Sequence, residues 1–477
     1  MRNPVALGSN GAPEEVRLGE VPDLEKESPL GGRKLSAPFM AVLLLISVIY
    51  VFAATETYLA LPLALKIHFW IFRDWLPGSP GLFSVFDVLF AAFSVILIAK
   101  FGIDFNRAGV VLKALFLAAL LCFILDLVNP NSEDWKLQLP VPVDIATIVF
   151  LNLMFATFFM REEGFIVFIR RLFTLVAAVT VIRAVILLIL WGLGKGNRAF
   201  GGNSALTEGD SLLLFAFVQC VLLAIYLNHR KRVYLVSWGL LLMIQILSFR
   251  RTALYVAVGA NLMTFVIYAL QRGSLGHLLR VSLGAVAFGG LLYATAVYLL
   301  PEKDLEKYTL RYIGIFSDKA MEDRYSYAGD SGHFRESALT LDYAIEKGEF
   351  WGYGYGDPRD FKVPGATMGK YVHNVYAAVW LAHGMYSFAF YLLMIMVVLV
   401  TLMRVLVRIR SLEPTYVLLV GAICGYLLML MVAWYTNPIS IAETLKMRVL
   451  WVFALAFVFK IRPATSKWFV PGEIDER

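Results

Sequence analysis

Phe388-Ala-Phe-Tyr-Leu-Leu-Met-Ile-Met-Val-Val-Leu-Val-Thr-Leu-Met403 carries no charge, and its only side-chain polar atoms are the hydroxyls of one tyrosine and one threonine. A run of this kind is stable only where its solvent is itself apolar, and in a bilayer a single segment can satisfy its backbone polar groups only as a helix. With its flanks it reaches the roughly 20 residues needed to span hydrocarbon. Met40 to Ala54, Val110 to Leu127, Leu172 to Trp191 and Gly284 to Leu300 are of the same kind, with few or no charges. Tiling the chain in this way predicts spans near 38–62, 83–99, 109–128, 141–160, 172–192, 209–228, 233–249, 252–270, 281–300, 372–403, 414–436 and 445–460, roughly twelve in all. The whole chain agrees: its 477 residues are 59% hydrophobic, above the roughly 45–50% of soluble domains, and its mean hydropathy is +0.70. The expectation is therefore an all-α polytopic membrane protein, with the lipid bilayer and not nucleic acid as its surroundings.

The organisation read from these spans is a tail over 1–36, helices one to nine over 37–300, a large loop over 301–371, helices ten to twelve over 372–462, and a second tail over 463–477. The first 36 residues are rich in Pro, Gly and Glu and hold no apolar run, so they are expected to be disordered and are not a cleavable signal peptide. Cys122, Cys220 and Cys424 all fall inside spans, where a thiol behaves as a small hydrophobe. They imply neither a disulfide framework nor a metal site.

Basic side chains resist translocation and so mark the cytoplasmic ends of spans. With the N-terminus inside, Arg33 and Lys34, Lys100 and Arg107, Arg161, Arg170 and Arg171, Arg230, Lys231 and Arg232, Arg272 and Arg280, Arg404, Arg408 and Arg410, and Lys460 and Arg462 all fall on the inner side. An even count puts both termini in the cytoplasm. Ser248-Phe-Arg-Arg-Thr252 breaks the pattern, because it joins spans seven and eight at the outer face. Either a span is miscounted and these arginines are ordinary inner anchors, or cations held where topology disfavours them are there to meet an anion.

The same topology puts Pro301 to Tyr371 outside, and a loop of roughly 70 residues in a compact protein is functional or disordered. Its aromatic content, including Tyr308, Tyr312, Phe350, Trp351, Tyr353 and Tyr355, argues for function. Phe334, Ala338, Leu341 and Ile345 recur at spacings of three and four, predicting an amphipathic helix over His333 to Lys347 that lies along the interface and carries Arg335 near its start. Trp351-Gly-Tyr-Gly-Tyr-Gly-Asp-Pro358 follows. Its alternating glycines lack the strand before and the helix after that a dinucleotide fingerprint requires, so an irregular turn lining a groove is expected, with Gly354 at its centre. Tyr371-Val-His-Asn-Val-Tyr376 re-enters the membrane, and His373 sits at the outer mouth with Asn374 beside it. A lone histidine there can simply be a headgroup-boundary residue, but imidazole is also the side chain best suited to take a proton near neutral pH.

His373-Asn374 followed by Gly384-Met-Tyr-Ser387 resembles the signature that opens the helix after the large periplasmic loop in the O-antigen ligase and polymerase family. Ser248-Phe-Arg-Arg251-Thr-Ala is similar to that family's Ser-Arg-small motif, and Arg335 with Trp351-Gly-Tyr-Gly-Tyr-Gly356 to its loop arginine and glycine-rich turn. Arg198-Ala-Phe-Gly-Gly-Asn203 is more weakly similar to one of its outer loops. Ser387 stands where the family often has a second glycine, and Arg250 where it often has serine. Which arginine of the pair acts is thereby left open, with Arg251 favoured because it directly precedes the small residues.

The resemblance implies a GT-C-like membrane glycosyltransferase of the bacterial inner membrane. Such an enzyme transfers a glycan from undecaprenyl diphosphate to an acceptor hydroxyl, on another glycan or on lipid A-core, at the periplasmic face. His373, Arg251 and Arg335 would be catalytic, and Arg250, Arg198, Asn374, Tyr371 and Gly354 would bind substrate. The chemistry is coherent, because guanidinium forks grip phosphate oxygens bidentately without losing their proton. No Asp-x-Asp pair occurs in the chain, so no metal and no other cofactor is expected. Ligase and polymerase are not separated by these residues; the long tail and charged loop favour polymerisation or exopolysaccharide assembly. A flippase of lipid-linked oligosaccharide is the alternative from another class. It would show paired repeats and more polar lining than Asp87, Lys113, Asp126 and Arg183 provide. Arg183 itself is left between pairing with a carboxylate and snorkelling.

Overall fold

The computed structural model describes residues 110–131, 162–192, 209–247, 251–273, 331–347, 349–352 and 374–435, with isolated positions elsewhere. By contact the chain divides into Met1–Lys34, which lies outside the described residues, and Leu35–Arg477, to which everything below belongs. Nine helices are described: α1 (Val110–Leu127), α2 (Glu162–Gly192), α3 (Gly209–His229), α4 (Arg232–Leu247), α5 (Arg251–Arg272), α6 (Ser331–Lys347), α7 (Val375–His383), α8 (Met385–Val407) and α9 (Pro414–Ala433). No strand occurs among the described residues. Five stretches are long and apolar enough to cross a membrane: Phe168–Ile189, Leu212–His229, Thr252–Arg272, Met385–Val407 and Pro414–Ala433. The described part of the chain is thus an all-α membrane protein.

Helices α1, α3, α4, α5 and α9 fall on expected spans within a few residues, whereas five expected spans, near 38–62, 83–99, 141–160, 281–300 and 445–460, fall outside the described residues apart from isolated positions. Helix α2 begins ten residues before the expected 172, with Arg170 and Arg171 inside it and not in a connecting loop. The charge pattern puts Arg161, Arg170 and Arg171 in one inner connection, but Glu has good helix propensity and the helix extends beyond its apolar stretch.

Burial sorts the helices. α3 and α9 are apolar all round and almost wholly buried, as a helix without a polar face must be when it is surrounded by others. α2 and α8 sit at the edge, exposing Leu175, Ile182, Ile189, Leu392, Met396 and Met403 outward. Large apolar side chains facing out in rows fit a lipid surround. Phe217 of α3 lies edge-on to both Phe173 of α2 (5.7 Å between centroids) and Tyr426 of α9 (5.3 Å), which keys three helices together. α5 and α9 run antiparallel in close contact, a Cβ on Gly421 falling 2.3 Å from Ile267 Cδ1 and one on Gly425 3.1 Å from Met263. Small residues in one helix let the other approach.

The expected tenth span, 372–403, is corrected by the structure to two helices folded at Gly384. In one straight helix, Tyr376 and Tyr391 would lie about 22 Å apart at 1.5 Å per residue. Instead their rings are 6.4 Å apart, and Trp380 stacks on Phe388 at 5.0 Å. Gly384 has φ 104°, a conformation costly for any residue with a Cβ. A Cβ there would fall 2.1 Å from the Phe350 carbonyl oxygen. Hydropathy reads straight through this glycine because both sides of it are apolar; only α8 is long enough to cross.

The contacts define two ends. At one, the α3–α4 turn meets α5 and the start of α9: Asn228 Nδ2 donates to Thr415 Oγ1 at 2.5 Å, and the Arg230 guanidinium donates to the Tyr268 hydroxyl. At the other, Gln245 near the end of α4 donates to the Leu212 carbonyl at the start of α3 at 3.1 Å, and the Val375 amide donates to the Trp434 carbonyl at 3.0 Å.

Candidate functional site

The second end holds what the structure describes of the sequence-derived site. Asn374 is fully buried and caps α7, its Oδ1 accepting from the Ala377 amide at 3.1 Å. Its Nδ2 donates to the Ser337 carbonyl of α6 at 3.3 Å. One side chain therefore joins the start of α7 to α6. Ser337 is two residues on from Arg335, and Asn374 is next to His373.

Helix α6 occurs where its periodicity predicts, over Ser331–Lys347, but it turns a different stripe inward. Ser337, Thr340 and Ala344 are buried, while Ile345, expected on the apolar face, is 61% exposed. Ala344 packs with Ala377 and Leu381 of α7, flanked by Leu341, Tyr343 and Trp380. α7 comes close enough that small residues, not large ones, fill the interface.

The register of α5 on α9 brings in the third element. Met263 meets Gly425 and Ile267 meets Gly421, so α5 begins, at Arg251, at the end where α9 finishes. Just past that finish, Trp434 receives the Val375 amide, and the Tyr376 hydroxyl donates to the Met431 carbonyl at 2.6 Å. Tyr376, Tyr391 and Trp434 form a ring cluster beneath Asn374, with centroids 5.5–6.4 Å apart. The backbone positions of Arg251 and Arg335 and the neighbour of His373 thus belong to one end of the molecule. The Arg251 and Arg335 side chains, and the whole of His373, Arg250, Arg198, Tyr371 and Gly354, lie outside what is described.

Of the glycine-rich stretch, Trp351 and Gly352 are described, and the rest of the expected turn lies outside the described residues. Gly352 has φ 67°, and its amide donates to the Glu349 carbonyl at 3.3 Å, which closes a turn over Glu349–Gly352. The turn is held from two sides. Asn129 Nδ2 reaches the Trp351 carbonyl at 2.5 Å and Asn131 Nδ2 the Gly352 carbonyl at 2.7 Å, both from the end of α1, while the Met385 amide donates to the Phe350 carbonyl at 3.1 Å. The sequence reading missed Asn129, Asn131 and Trp434. Asn-Pro-Asn at 129–131 is a recognisable turn signal, but nothing local announces a partner more than two hundred residues away.

Arg183 is buried in α2 with its guanidinium 5.4 Å from the Phe215 ring centroid, a cation–π contact that neither sequence alternative included. The three cysteines are buried, and the Cys122 thiol donates to the Tyr386 carbonyl at 3.7 Å. No family model, curated protein or solved structure matches this chain.

Proposed function

We propose that this chain is a membrane glycosyltransferase that moves, or polymerises, glycan from undecaprenyl diphosphate onto an acceptor sugar hydroxyl at the outer face of the bacterial inner membrane. The acceptor is a second lipid-linked glycan in the favoured polymerase or exopolysaccharide reading, and lipid A-core in a ligase. In this reading the chain has roughly twelve GT-C-like spans, cytoplasmic termini and the basic helix ends inside.

One observation carries the proposal: the Asn374–Ser337 hydrogen bond ties the segment next to His373 to the helix bearing Arg335, at the end of the bundle where α5 starts with Arg251. The start of α5 adds the positive end of a helix dipole, which favours an anion. Arg251 and Arg335 stabilise the charge that develops on the departing diphosphate. His373 accepts the proton of the attacking hydroxyl as the anomeric carbon inverts. Arg250, Arg198, Tyr371 and Gly354 line the path of the glycan, while Asn374 keeps the imidazole-bearing segment in place. No metal is required in this mechanism.

The test is transfer by the purified full chain with a lipid-linked donor and candidate acceptors, with and without chelator. Arg251→Ala, Arg335→Ala and His373→Ala should each lower the rate about 10²- to 10³-fold while the helical circular dichroism and thermal midpoint stay near wild type. Normal rates in all three variants would remove the site, and a strict need for divalent metal would remove the mechanism.

A further inference from the structure

At the end of the bundle away from that site, two guanidinium groups gather on one tyrosine. Arg230 lies 5.3 Å and Arg272 5.7 Å from the Tyr268 ring centroid, and Arg230 also donates to the Tyr268 hydroxyl and lies 5.7 Å from the Tyr226 ring. Both arginines are exposed, and among the described residues no carboxylate is salt-bridged to either. The carboxylate of the adjoining turn, Glu413, accepts from the Thr415 and Tyr416 amides at the start of α9. Arg230 is held there at a cost. Its φ of 57° makes it the one non-glycine with positive φ among the described residues, and such a strained conformation persists only where its surroundings enforce it. Like charges gathered with no counter-charge among the described residues, at the point where membrane-spanning helices end, call for an anion supplied by the membrane.

We propose that Arg230 and Arg272, with Tyr268 as the platform between them, bind the phosphate of an anionic phospholipid from the leaflet at this end. Exposed apolar residues of α4 and α5, among them Val233, Val236, Leu262 and Leu270, offer surface for its acyl chains. The site differs from diffuse attraction because it is built from two particular cations out of a larger set that includes the equally exposed Lys231 and Arg232.

Native mass spectrometry of the purified full chain, titrated with phosphatidylglycerol against phosphatidylcholine, tests this. Wild type should retain phosphatidylglycerol selectively. Arg230→Gly, which suits the positive φ, combined with Arg272→Ala should weaken retention about twenty-five-fold, on the order of fivefold for each cation. Lys231→Ala with Arg232→Ala removes the same charge and should change it much less. If the first pair fails to fold, Arg272→Ala alone should still show its fivefold loss. Equal losses from the two double variants would overturn the proposal, as would displacement of the lipid by inorganic phosphate at equal concentration, which would make this a site for free anions.

Discussion

The two ends of the bundle are built by opposite means. At the Asn374 end, segments distant in sequence are locked by directional bonds from buried polar groups: Asn374 to Ser337, Val375 to Trp434, Asn129 to Trp351. At the Arg230 end, Asn228 also reaches Thr415 across the sequence, but what dominates is exposed cations crowding over tyrosine rings. The first arrangement preorganises a place that a substrate enters, because its parts cannot shift independently. The second is open and electrostatic, and it suits a partner already present in the membrane. Lesions that unlock the Asn374 and Gly384 contacts of the first end should therefore damage both fold and transfer, and lesions at the second should leave transfer alone.

The largest effect is expected at Gly384. Gly384→Val combines positive φ with overlap against the Phe350 carbonyl, and should destabilise by about 3–5 kcal/mol, seen as a collapse of the thermal midpoint in detergent together with loss of transfer. A variant that melts like wild type would mean that the α7–α8 fold is not as described. Asn374→Ala comes next. It removes a helix cap, worth about 1–2 kcal/mol, and the tie to α6, so transfer should drop at least tenfold with kcat affected more than KM. A fall in KM affinity alone would instead make Asn374 a substrate contact. Glu413→Ala sharpens the contrast from the other end: loss of the α9 cap should cost about 1 kcal/mol and lower the midpoint by a few degrees while transfer stays unchanged. Impaired transfer there would show that the two ends are coupled. Smallest of all, Tyr376→Phe removes one hydroxyl donor to the Met431 carbonyl and should cost about 1 kcal/mol, detectable as a slight loss of midpoint with transfer close to wild type.

Much of this fold was legible because membrane spans are written in composition. The apolar runs over 110–127, 209–229, 252–272 and 414–433 need no partner to be recognised, since in hydrocarbon each must close its own backbone hydrogen bonds. Periodicity likewise placed α6.

What the sequence could not decide was which way apolar segments face once they have partners. Periodicity gave α6 the apolar positions Phe334, Ala338, Leu341 and Ile345 along the interface, but could not show that Ser337 and Ala344 would be the ones to meet Asn374, Ala377 and Leu381. Hydropathy joined 372 to 403 into one span, because Gly384 reveals itself only when the Phe350 carbonyl occupies the place of its missing Cβ. Asn129, Asn374 and Trp434 acquire their roles solely from partners far away in the chain. Solvent and backbone demands act on each segment alone and are therefore fixed locally. Side-chain direction, helix reversal and long-range hydrogen bonds depend on what another segment brings, and only tertiary packing supplies that.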